Sequence, residues 1–183
     1  MSEAISALKG ASHTGFATVA EAGLTGMISI RADLTSKALA KALKGLGLAT
    51  PDQRKVVSSE GRSVAWMSPD ELLLICTYEE APGLSQSLSD ALAKEHSLVT
   101  NVSDARAMFT ISGEKGDEVV MKLCPVDFAT FPEGEMRRTR AAQVAAALWR
   151  SGPQEISVIC FRSVAAYMLG LLEVSSRKGG EIF

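Results

Sequence analysis

The chain has 183 residues, a hydrophobic fraction of 46% and a formal net charge of −2, enough to bury a sizeable core without disulfide or metal staples. The near-neutral balance gives no long-range field to gather phosphate backbones, which excludes a general nucleic-acid binder and confines any anion site to a local cluster. Cys76, Cys124 and Cys160 are odd in number, far apart and without a C-x-x-C pair, so they read as reduced core thiols of a cytoplasmic protein and not as a disulfide framework or zinc knuckle.

Residues 1–26 are rich in Ala, Gly, Ser and Thr and carry too little periodic apolar surface to fold alone. They predict an extended N-terminal arm, frayed or laid across a neighbour, whose ordering costs on the order of 1 kcal/mol per residue. The arm resembles neither a signal peptide nor a membrane anchor, and His13 within it reads as solvated.

Residues 27–97 predict a first α/β half. Met27–Arg31 alternates as a half-buried strand, Asp33 or Thr35 caps a helix, and Leu39, Ala42, Leu43 and Leu46 fall on one face of it. The polar run from Pro51 to Arg62 reads as an exposed strand or hairpin, Val64–Met67 as a strand, Ser68-Pro69-Asp70 as a turn and Leu72–Cys76 as a central strand. Leu84, Leu88, Ala91 and Leu92 then repeat at helical spacing.

Residues 98–175 predict a second half. Met108–Ser112 reads as a strand, Glu114–Leu123 as a helix, Ala141–Trp149 and Glu155–Phe161 as strands and Ser163–Glu173 as a helix, with residues 176–183 left as a tail. Met27–Ile30 matches Met108–Ile111, Leu72–Cys76 matches Ile156–Cys160, and Leu84–Leu92 matches Val164–Leu172, each displaced by about eighty residues. The fold class is therefore α+β, built from two pseudo-symmetric strand-helix-strand-strand-helix halves that associate into one body.

Few constellations carry chemistry. Arg137, Arg138 and Arg140 precede the strand that ends at Trp149-Arg150 and follow Glu133 and Glu135. Guanidinium forks suit a carboxylate or phosphate, so these three, with Arg162, are the candidates for a partner or anion contact; the competing reading is a solvated turn whose arginines pair with the two glutamates. Asn101-Val102-Ser103-Asp104 places Ser beside Asp, but the histidines, His13 and His96, lie in no nucleophile motif, and Asp104 reads as a turn cap. Gly113 and Gly116 lack the third glycine of a dinucleotide fingerprint and read as a tight turn. Trp66 and Trp149 occupy comparable places in the halves and read as packing residues.

Three runs, NVSDARAMFTISGEKGDEVVMKLCPVDF, FPEGEMRRTRAAQVAAALWR and ISVICFRSVAAYMLGLL, resemble the gamma subunit of heterotetrameric sarcosine oxidase, and GLTGMISIRADL and AWMSPDELLLI stand in the expected order before them. The most specific element is Arg137, Arg138, Thr139, Arg140, Gln143, Val144, Ala145, Trp149 and Arg150. The resemblance implies a fold like the glycine-cleavage T-protein and other folate-binding aminomethyltransferase-like proteins. It implies a complex that oxidatively demethylates sarcosine to glycine, giving hydrogen peroxide with formaldehyde or methylenetetrahydrofolate. FAD, FMN, NAD, tetrahydrofolate and zinc are implied in the alpha, beta and delta subunits, and none in gamma, so the resemblance carries over no catalytic, cofactor-binding or metal residue. The lysine-glycine-cysteine signature of the folate-dependent iron-sulfur assembly relatives is absent. Two other readings stay open at this point: a free-standing folate-binding one-carbon transferase-like protein, and a regulatory module that binds a small anion at the arginine run.

Overall fold

Each predicted central strand lies beside a helix whose apolar face needs cover, and the computed structural model, which describes residues 3–183, arranges them in two compact units. One unit is Thr25–Ser103; the other joins residues up to Leu24 with Asp104–Phe183.

The first unit runs β3 (Thr25–Arg31), α1 (Lys37–Gly45), β4 (Val56–Ser59), β5 (Arg62–Ser68), β6 (Glu71–Thr77), α2 (Ala81–Ala91) and β7 (Leu98–Asn101). Its antiparallel sheet has the order β4-β5-β6-β3-β7. The first helix is capped by Ser36, whose Oγ accepts from Ala38 and Leu39 N–H. Asp33 instead accepts from Thr35, so neither predicted cap is used. The polar run is the β4–β5 hairpin, turned by Glu60 and Gly61 at φ 49° and 79°, the left-handed pair that matches strand twist in a two-residue loop. Ile28, Ile30, Val64, Leu72 and Leu74 meet Leu39, Leu43, Leu88 and Leu92 in one core.

The second unit contains β1 (Ser12–Thr14), β2 (Thr18–Glu21), β8 (Arg106–Ser112), α3 (Gly116–Met121), β9 (Met136–Ala141), β10 (Val144–Gly152), β11 (Glu155–Phe161) and α4 (Ala165–Ser175), in the sheet order β1-β2-β8-β11-β10-β9. The helix α3 is shorter than predicted because its start is taken up by the turn closed by Gly116 N–H on the Gly113 carbonyl, and its end tightens where Leu123 N–H bonds the Val120 carbonyl. Phe109, Ile111, Leu148, Ile156 and Val158 pack with Val119, Val120, Ala165, Met168 and Leu172. The opposite face of this sheet is buried as well: Met136, Ala147, Trp149, Ser157 and Ile159 are all 5% exposed or less.

The duplication is real in topology. The order β4-β5-β6-β3 corresponds to β9-β10-β11-β8, and each sheet is then extended by the strand that precedes the other repeat in sequence. Strand β7 precedes β8 yet pairs with β3, through Ile28↔Asn101; β2 precedes β3 yet pairs with β8, through Val19↔Ile111. Residues 12–21, expected as part of an arm, are therefore strand. Val19 is fully buried, and the open edge of β8 supplies the hydrogen bonds an isolated arm would lack. Glu21 fastens what comes before: its carboxylate accepts from Ser6 Oγ at 2.9 Å, Leu8 N–H at 2.9 Å and Gly10 N–H at 2.7 Å.

The two tryptophans are on corresponding strands but on opposite faces. Trp66 packs against the helix-covered core of its unit, whereas Trp149 pairs with Ser157 and Met136 on the far face of its sheet. Among the described residues, no helix is long and apolar enough to cross a membrane.

Candidate functional site

The arginine run is a strand, not a turn. β9 forms a tight hairpin with β10 through Ala142 and Gln143, with Ala142 at φ 50°, and it is an edge of the six-stranded sheet. Because side chains alternate along a strand, the run divides. Arg137 falls on the helix-covered side, opposite Leu148 in register; it is ion-paired to the buried Glu135 and lies 5.4 Å from the Phe131 ring centre. Arg138 and Arg140 fall on the other side and are exposed, opposite Ala147 and Ala145. The pairing with Glu135 is present for Arg137, and Arg138 and Arg140 lie on the opposite face beside short alanine side chains.

Arg162 belongs elsewhere. It follows β11, and its Nη2 donates to the Ile5 carbonyl at 2.6 Å, so it fastens the N-terminal segment to this unit. Two strand spacings, roughly 10 Å, separate it from β9 in the sheet order. Beside it, Phe161 is 47% exposed with the Arg106 guanidinium 4.3 Å from its ring centre.

Arg150 holds more of this unit together than its place in the sequence suggests. Its Nη1 and Nη2 form a two-toothed bridge to Asp117 at 2.9 and 2.8 Å, and its Nε donates to the Phe131 carbonyl at 3.1 Å. It thereby ties β10 to the start of α3 and to the loop that leads into β9. The signal was its place at the close of the R-R-T-R run, two strands from the acid it meets.

The remaining candidates are engaged in local structure. Ser103 Oγ is turned inward, bonded to Asn101 Oδ1 at 2.6 Å and accepting from Met27 N–H at 2.9 Å. The turn is held by Asn101 Oδ1, which also accepts from Ser103 N–H at 3.1 Å, in place of the predicted Asp104. Gly113 and Gly116 make a tight turn, Gly116 N–H donating to the Gly113 carbonyl. Burial pushes the thiols of Cys76, Cys124 and Cys160 up to about 11, so none is a thiolate nucleophile near neutrality. Among the described residues, no cluster of three or more His, Cys, Asp or Glu side chains is placed to hold a metal.

Each unit carries a surface depression. That of the first unit, about 620 Å³, lies between Arg31, Asp33, Asp70 and His96; Arg31 there is committed to Asp70 at 2.8 Å and Glu71 at 3.2 Å. That of the second unit, about 640 Å³, runs along α4 and has one charged lining residue, Lys122.

Known proteins give this geometry its context. The chain superposes on a chain of the heterotetrameric sarcosine oxidase from Corynebacterium sp. U-96 in complex with pyrrole 2-carboxylate, with a TM-score of 0.81 and 26% identity over 90% of this chain and 87% of that one. The glycine cleavage system aminomethyltransferase T from Bartonella henselae shares the fold, with a TM-score of 0.69 at 12% identity over 90% of this chain and 47% of that one. Sarcosine oxidase subunit gamma from Corynebacterium sp. strain U-96 is 31% identical over 146 residues, 78% of this chain and 70% of the relative, and that of strain P-1 is 31% identical over 147 residues, 78% and 71%. Residues 31–178 match the model of the sarcosine oxidase gamma subunit family, and the chain belongs to that family.

Proposed function

We propose that this chain serves as a structural gamma subunit of a cytoplasmic heterotetrameric sarcosine oxidase, and that it docks on the alpha, beta and delta subunits without redox chemistry of its own. The observation that carries this is the pairing of family membership with exposed guanidinium groups presented on an edge strand. Exposed arginines on a rigid strand suit an interface, where Arg is enriched among the residues that dominate binding. The chemistry of sarcosine demethylation, with FAD, FMN, NAD, tetrahydrofolate and zinc, then belongs to the other subunits. In this reading Arg138 and Arg140 face acidic groups of a partner, while Arg137 and Arg162 brace the unit that presents them.

Co-expression with and without the other subunits tests it. The chain alone, supplied with flavin, is expected to leave sarcosine unoxidised; turnover by the isolated chain ends the proposal. Arg138→Glu and Arg140→Glu are expected to reduce assembly while the circular dichroism of the free chain is unchanged, and assembly at the wild-type level removes those positions from the interface. The competing reading, a free-standing folate-dependent transferase, calls for polar partners around a pterin; the groove along α4 supplies Lys122 alone among charged side chains, whereas the depression of the first unit is lined by Arg31, Asp33, Asp70 and His96. Calorimetric titration with tetrahydrofolate separates the two.

A further inference from the structure

The fourth helix carries apolar residues on two sides. Ala165, Met168, Leu169 and Leu172 face its core. The opposite side presents Tyr167, Gly170, Leu171 and Val174, with Tyr167 48% and Val174 58% exposed. That is the i, i+3, i+4, i+7 spacing of a helix seam. The chain contains its own control. Displaced by about eighty residues in the duplication, the helix α2 and its end carry Ser87, Asp90, Ala91 and Lys94 at the matching places, and α1 turns Lys37, Lys41 and Lys44 outward. Those are ordinary solvated faces; the face of α4 is not.

Two details define what would cover it. A side chain at Gly170 would meet nothing within 4 Å, and a mid-helix glycine costs about 1 kcal/mol relative to alanine, so the position leaves room for another backbone to cross closely. Basic side chains stand at the end of the groove: Lys122 is fixed by donating to the Ser175 and Gly180 carbonyls at 2.5 and 2.7 Å, and the exposed Arg177 and Lys178 follow, with Glu173 before them and Glu181 beyond.

We infer that the outer face of α4 is a docking groove for an amphipathic helix of another subunit of the tetramer. The incoming helix places apolar side chains spaced i, i+3 or i+4, i+7 against Tyr167, Leu171 and Val174. Its acidic residues lie over Lys122, Arg177 and Lys178, a helix-in-groove arrangement with complementary charge. A second copy of this chain fits poorly. Parallel pairing of two α4 faces opposes Arg177 and Lys178 to themselves, and antiparallel pairing opposes them to Arg162, cation against cation in both cases. The inference rests on the reading of this chain as a subunit, and it concerns a different surface from β9.

The test is purification of the tagged full-length chain co-expressed with the other sarcosine oxidase subunits, comparing wild type with Leu171→Lys, Gly170→Leu, the pair Arg177→Glu and Lys178→Glu, and the α2 control Ser87→Lys. Leu171→Lys and Gly170→Leu are expected to lower co-eluting subunits at least tenfold, the charge pair several-fold, and the control not at all. Gly170→Leu is also expected to raise the melting temperature of the free chain, since it improves the helix, so lost assembly cannot be lost folding. Wild-type stoichiometry in Leu171→Lys and Gly170→Leu overturns the inference. A free chain that is dimeric by light scattering and becomes monomeric in the same variants overturns it too, assigning the groove to a second copy. If the wild-type chain itself retains no other subunit, the subunit reading fails, an outcome distinct from failure of the variants alone.

Discussion

Removing Arg150 tests whether the second unit depends on one guanidinium fork. Arg150→Ala deletes the two bonds to Asp117 and the bond to the Phe131 carbonyl. The Asp117 side chain is 36% exposed and is rehydrated, so the lost ion pair is worth about 0.5–1 kcal/mol. Phe131 is only 3% exposed, and a carbonyl stranded there costs roughly 1–3 kcal/mol. The expected total is about 1.5–4 kcal/mol, or a fall of about 3–16 °C in melting temperature for a chain of this size. Trp149, the neighbouring residue, gives a fluorescence reading of this unit. Asp117→Asn keeps the shape and loses the charge, so it is expected to cost less than 1 kcal/mol, and the double-mutant cycle is expected to give a coupling near 1 kcal/mol. Arg150→Lys is expected to recover less than half, because an ammonium cannot span both Asp117 oxygens and the carbonyl. A cost under about 0.5 kcal/mol for Arg150→Ala, or strict additivity with Asp117→Asn, would refute this account.

Gly26→Ala is expected to destabilise the first unit by several kcal/mol in urea titration, since its Cβ would sit 2.2 Å from the Thr77 carbonyl oxygen across the β3–β6 pair. Gly15→Ala meets the Ser176 carbonyl oxygen at 1.7 Å and is expected to do the same to the second unit. The buried thiols have pKa values raised from 9.0 to about 11, so the stability they contribute is full below 9 and is lost as pH rises from 9 towards 11; thiol alkylation at pH 8 is expected to be slow until denaturant is added. The Ile182 N–H lowers the Glu118 pKa below 4.5, so that contact is present above pH 4.5 and lost as pH falls through the lowered value. Carboxypeptidase release of the last residues is expected to quicken with that fall, and in Glu118→Gln to be quick and independent of pH.

Much of the architecture was legible in the chain, because period and repeat are local properties. Leu72–Cys76 and Ile156–Cys160 announce buried central strands by unbroken apolar runs, and the spacing of their partners reveals the duplication without any contact being known. Arg137, Arg138 and Arg140 were visible as a cluster, but their division between two faces was not, since a run dense in charge does not show the alternation that marks a strand until Ala141 and Met136 are seen to be buried. The role of Arg150 was hidden for a related reason: Asp117 lies far away in sequence and is brought near by the return of β10 beside β11 and β8.

The amino-acid order alone determined the central strands and the four helices, the apolar face of each helix, that the pattern occurs twice, and that the chain resembles the gamma subunits of sarcosine oxidase; it did not mark β1, β2, β7 or β9 as strands. Only the tertiary structure decided that β2 and β7 are exchanged, each completing the sheet of the repeat it does not precede. The reason is physical: a strand's hydrophobic pattern specifies that one face must be buried, but any free edge of matching register satisfies its backbone equally well. Which edge is available depends on where the whole chain has gone.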